Sequence, residues 1–155
     1  MRKIWKTLCA AALATMVMAP VHAEEKTITI GTMAWEDLLP ITGITRKVLE
    51  DSGYTVKVVE FSEWGIAYAA LGKGDIQVLA SQTDYAANDF WIGHKGFAAQ
   101  YPHAREVMAS VFIPVADITA INSEVNEGKT MDQAVQGWVA SHAELLKRWE
   151  SVKEQ

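Results

Sequence analysis

Cysteine is nearly missing from this 155-residue chain: Cys9 is the single one, and it falls inside the first apolar run. With that run set aside, a disulfide scaffold and a cysteine-ligated metal site are both excluded. Histidine is scarce as well. His94, His103 and His142 have no metal-like spacing with one another or with carboxylates. No Gly-x-Ser-x-Gly elbow, Walker loop or Gly-x-Gly-x-x-Gly fingerprint occurs. Gly72-Lys-Gly74 lies after a helix pattern and before a strand pattern, the wrong end of such a unit to cradle phosphate. Acidic pairs such as Glu36-Asp37 and Glu24-Glu25 read as solvated surface. Catalysis, a metal and a cofactor are therefore not expected.

Basic residues are outnumbered too, 14 against 19 acidic, for a formal net charge of −5. That balance argues against nucleic acid and anionic membrane as partners. Beyond the first residues no apolar run approaches the roughly 20 residues a membrane-spanning helix needs. The first run itself is short, 8–20, and follows Arg2, Lys3 and Lys6. Val21-His22-Ala23 then supplies a small-residue cleavage site, so residues 1–23 read as an export signal and the mature chain as 24–155. Cys9 stands at the front of the apolar run, where a lipid-anchored protein would need it at the end. A free periplasmic protein is expected, of one ordinary domain size.

What the chain does have is concentrated in residues 27–91. Three strand patterns occur at 27–32, 54–61 and 75–80, rich in Val, Ile and Thr. Between them lie helix patterns at 41–51, with Ile41, Ile44, Val48 and Leu49 on one face, and at 63–71. Gly53 is placed to cap the first helix, Ser62 to start the second, and Gly72 and Gly74 to end it. A polar and aromatic segment running to His94 reads as helix-like. The last third is read as helical throughout. Pro114 opens one helix and Gly128 ends it, Thr130-Met-Asp-Gln133 forms a capping box, and Ser141-His-Ala-Glu144 forms a second. The fold class is α/β: a three-layer single lobe with a small, mainly parallel β-α-β-α-β sheet and a helical C-terminal third.

Ligands of parallel sheets gather at the carboxyl ends of the strands. Three loops should meet there, bringing Trp35, Trp64 and Tyr85 together with Glu36, Glu63, Gln82, Thr83 and Asp84. Aromatic faces attract cations by about 0.5–2 kcal/mol each, and quaternary ammonium groups are a known use. Each aromatic also has a plainer reading. Trp64 lies four residues before Tyr68 and shares a helix face with it, which is packing as readily as binding. Trp35 divides evenly between the two, and Trp138 and Trp149 read as core.

Several segments resemble one family. Thr29-Ile-Gly-Thr-Met-Ala-Trp35, Val48-Leu-Glu-Asp-Ser-Gly-Tyr54 and Ala67-Tyr-Ala-Ala-Leu-Gly-Lys-Gly-Asp-Ile76 look like the first lobe of periplasmic substrate-binding proteins, type II-like, for glycine betaine, choline and proline betaine. Ile118-Thr-Ala-Ile-Asn-Ser-Glu-Val-Asn-Glu-Gly-Lys-Thr130 and Ala134-Val-Gln-Gly-Trp-Val-Ala140 are similar to its C-terminal helices. The resemblance implies a small quaternary amine or betaine-like solute, an ABC importer with a permease in the inner membrane, and no catalysis.

Two departures stand out. The family carries a second α/β lobe between these blocks, whereas Trp91-Ile-Gly-His-Lys-Gly96 here passes almost directly to Tyr101-Pro-His-Ala-Arg105. The ligand-stacking Trp that often follows the third strand is replaced by Ser81-Gln-Thr-Asp84. One lobe is one wall of a cleft, so weak binding, completion by self-association, or a transport-inactive relic is expected. A periplasmic interaction or sensor module using the same exposed face is the alternative.

Overall fold

The computed structural model describes residues 26–82 and 89–152. The expected export signal at 1–23, and Thr83, Asp84 and Tyr85 among the candidate ligand residues, lie outside the described residues. Among the residues described, no helix is long and apolar enough to cross a membrane.

Strand β1 (Thr27–Met33) leads to helix α1 (Leu38–Asp51), β2 (Thr55–Phe61), α2 (Trp64–Lys73) and β3 (Val78–Gln82). β1 pairs in parallel with β2 from Thr27↔Thr55 to Met33↔Phe61, and with β3 at Ile30↔Val78 and Gly31↔Leu79. The β-α-β-α-β order is therefore as the sequence implies. The third strand begins later than its pattern, at Val78. Gln77 already joins the ladder through its N–H to the Thr29 carbonyl at 2.9 Å.

A fourth strand corrects the sequence reading. The segment before His94, expected to be helix-like, is β4 (Asp89–Gly93), antiparallel to β3, and the sheet order is β2-β1-β3-β4. Phe90-Trp91-Ile92 are aromatic and β-branched, side chains that favour a pleated surface. Trp91 and Ile92 pack on the clusters of the two opposite sheet faces, which a helix would not arrange.

The remaining residues form α3 (Phe97–Gln100), α4 (Pro102–Ser110), α5 (Val115–Asn126), α6 (Met131–Ser141) and α7 (Ala143–Glu150). One sheet face carries the larger core, in which Ile28, Ile30 and Val78 meet Ile44, Val48, Val107, Ile121, Trp138, Leu146 and Trp149. The other face carries α2 alone, through Ala67, Leu71, Ile76 and Leu79. The result is three layers. Trp138 and Trp149 are core residues stacked 6.3 Å apart.

Local chemistry explains most of the boundaries. α1 starts three residues before the pattern at 41–51, because the Asp37 carboxylate accepts from the Leu38 N–H at 3.0 Å. Pro40 then sits in the first turn, where its missing N–H costs nothing. Gly53 follows α1 with φ 96°, the left-handed conformation that suits glycine. α2 is preceded by Glu63 rather than Ser62, without a side-chain cap, and Gly74 rather than Gly72 ends it. The Thr130–Gln133 capping box on α6 is complete. The second box is not formed. Ser141 closes α6 with its Oγ on the Trp138 carbonyl at 2.8 Å, and His142 joins α6 to α7.

Candidate functional site

The carboxyl ends of β1, β2 and β3 lie along one edge of the sheet, as parallel strands require. Directly beyond Met33 come Trp35 and Glu36, both exposed. Directly beyond Phe61 comes Trp64, on the first turn of α2 and half-buried. The two indoles are perpendicular, with ring centroids 5.3 Å apart. Trp64 also stacks on Tyr68 at 5.8 Å and 24°, one helical turn later. The Tyr68 hydroxyl is 3.2 Å from Ser81 Oγ, and Ser81 is buried near the end of β3. Three rings from two β-α junctions are thus tied to the third strand.

The packing reading of Trp64 is met by its contacts. It packs against the clusters under α2 and beside Met33, and it presents the remainder of its ring to Trp35. Trp35 is 43% exposed and Tyr68 45%, so the cluster is an open surface rather than a cavity. A groove of about 620 Å³ is lined by His94, Phe97, Arg105 and Met108, and by Val78 and Gly93, which pair at the far end of β3. It belongs to the opposite edge of the sheet.

The floor beneath the cluster is firm. Thr42 Oγ1 donates to Thr32 Oγ1 at 3.1 Å, joining α1 to the end of β1 between two fully buried hydroxyls. Gly31, one residue earlier, lies where an added Cβ would press on Ile76, on Phe61 at 3.0 Å and on Leu79 at 3.1 Å. The close packing of the Phe61, Ile76 and Leu79 side chains over β1 therefore depends on this glycine.

Of the residues singled out in the sequence, Trp35, Glu36, Glu63 and Trp64 are brought to the same edge. Gln82 is the last residue of β3 and so ends there too. Sequence reading missed Tyr68 as a partner of Ser81, and it missed Phe90. Phe90 lies directly across from Ser81 on β4, on the face that Tyr68 reaches, and is 39% exposed. Its signal was the Phe-Trp-Ile run, hidden by reading the segment as helix.

Among the described residues of this edge, 33–37, 61–64 and 81–82 include the acidic Glu36, Asp37 and Glu63 and no Lys, Arg or His. Among the described residues no group of three or more His, Cys, Asp or Glu could hold a metal ion.

The fold and this aromatic edge define one α/β lobe of a solute-binding protein. A model of the family described as "Substrate binding domain of ABC-type glycine betaine transport system" (OpuAC) matches residues 26–92 and 82–141, and the chain belongs to that family. The two matched pieces meet at 82–92, where β3 passes to β4. A similar solved structure is lactococcal OpuAC in its closed-liganded conformation complexed with glycine betaine. It is 10% identical with a TM-score of 0.69, over 82% of this chain and 100% of that one, a likeness of fold. No curated protein matches the sequence.

Proposed function

We propose that the chain is a non-catalytic, exported solute-binding component of an ABC importer for quaternary amines of the glycine betaine and choline type, acting as one lobe. Residues 1–23 are its export signal, residues 24–155 are the lobe, and the partner is a permease of the inner membrane. The observation that carries this reading is the perpendicular Trp35–Trp64 pair backed by Tyr68 at the strand-end edge. A trimethylammonium group has no hydrogen to donate, so it is held by ring faces and by a surrounding negative field. Trp35, Trp64 and Tyr68 supply the faces, with Tyr85 on the next loop. Glu36 and Asp84 supply charge, and Gln82 and Thr83 supply polar contacts.

The wall is single. Tight sites bury about 70–90% of a small ligand, whereas Trp35 and Tyr68 here stay nearly half exposed. The lobe therefore binds weakly alone and gains affinity when a second surface closes over the rings. A second copy of the chain is one such surface, and the importer is another. The same exposure favours the alternative of an interaction module that docks a protein directly.

Trp35→Ala distinguishes these readings. Loss of the choline-induced fluorescence change supports solute binding. Loss only of capture by the permease, with no solute response in the parent, supports docking.

A further inference from the structure

The loop that carries Trp35 is bonded to the C-terminal helices. The Trp35 backbone is pinned on both sides, with its N–H on the Met33 carbonyl at 2.8 Å and its carbonyl accepting from the Leu39 N–H at 3.0 Å. The next carbonyl, Glu36 O, accepts from Asn122 Nδ2 at 2.7 Å, across 86 residues of sequence. Asn122 sits on α5 directly after Ile121, which is buried in the main core, so the amide is carried on an anchored helix face. The residue is half-buried and the bond itself is exposed to solvent. A hydrogen bond there contributes only about 0.5–1.5 kcal/mol to folding, which leaves its location as its significance.

We infer that Asn122 is a positioning residue for the ligand edge: it fixes the β1–α1 loop so that the Trp35 ring stands perpendicular to Trp64. The loop between Met33 and Leu38 has no ladder partner of its own at Glu36. Without the Asn122 donor the Glu36 carbonyl loses its partner while the bonds of Trp35 and Leu38 on either side remain, so the loop shifts and the indole one residue away shifts with it.

The test uses Asn122→Asp, which keeps the shape and replaces the donor by an acceptor, and Asn122→Ala, which removes both. Thr119→Ala is the control, because the Thr119 hydroxyl bonds only within its helix, to the Val115 carbonyl at 2.9 Å. The first readout needs no ligand: the indole N–H resonance of Trp35, assigned as the peak lost in Trp35→Phe and shifted by the Trp64 ring. Both Asn122 variants should move or broaden that peak while Thr119→Ala leaves it in place and all three melt close to the parent. The second readout rests on the solute-binding reading: affinity for choline should fall about five- to tenfold in both Asn122 variants, the scale of one misplaced aromatic contact. An unmoved Trp35 peak in both variants overturns the inference, as does an affinity loss that only tracks a lowered melting temperature. If the parent binds no choline or betaine, the solute reading fails while the resonance still decides the role of Asn122.

Discussion

Trp35 and Trp64 stand perpendicular with centroids 5.3 Å apart, yet the two rings do different jobs for the fold. Trp64 is packed against the two buried clusters that contain Ala67 and Leu71 and Met33 and Leu38, while Trp35 is 43% exposed. The pair therefore separates stability from binding. Trp35→Ala should cost less than about 1 kcal/mol in urea unfolding, and Trp64→Ala about 1–3 kcal/mol, since it also loses the Tyr68 stack. Both should abolish a solute-induced fluorescence change.

The acid-rich edge carries a prediction about charge. No Lys, Arg or His lies in the described residues 33–37, 61–64 and 81–82 to receive a carboxylate. Choline, a cation, should therefore bind this lobe at least as well as glycine betaine, a zwitterion. The choline affinity should also weaken as salt screens the edge, over a Debye length of about 10 Å at 0.1 M. Isothermal titration at two ionic strengths checks both points.

Gly31 is a packing constraint beneath the rings. Gly31→Ala would force a methyl against Ile76, Phe61 and Leu79, so it should destabilise by about 1–3 kcal/mol. Because Phe61 and Trp64 pack against the same cluster of Met33, Leu38 and Ala80, the Trp emission spectrum should shift in the folded variant.

Glu150 gives a pH dependence. Burial, then the nearby Asp51 charge, push its pKa above the ordinary 4.5, with Lys47 and Lys147 opposing. A carboxyl with a raised folded pKa holds its proton better when folded. Its contribution is therefore fully present below 4.5 and is lost as pH rises through the raised value. Glu150→Gln should melt higher than the parent at neutral pH, with the difference vanishing in acid. Thermal scans across that range read it directly.

The parallel part of the fold was legible because Thr, Ile and Val alternate at 27–32 and 54–61, and because Gly53 and Thr130–Gln133 carry local chemistry that acts where it stands; the Asp37 cap, which starts α1 three residues before its pattern, was not. Nor was β4. Five residues are too few for periodicity to decide, and what makes them a strand is the partner edge of β3, which no local pattern contains. Ser141 misled for a similar reason, since its hydroxyl had a nearer acceptor in the preceding turn, the Trp138 carbonyl. At the site, Trp35 and Trp64 were visible as aromatics after strands. The shared helix face of Trp64 and Tyr68 was visible too; the Tyr68–Ser81 contact and Asn122 were not, because they are set by contacts across the sheet edge and from α5.

The central claim is that this chain supplies one wall of a quaternary-amine cleft. Titration of the mature protein with choline, glycine betaine and proline betaine, following Trp fluorescence and sedimentation together, tests it most directly. The expected response is weak in the monomer, in the millimolar range of about −4 kcal/mol, and tightens only with a second surface in place. Saturation of a monomer at micromolar solute, or no response from Trp35 and Trp64 at any concentration, would contradict it.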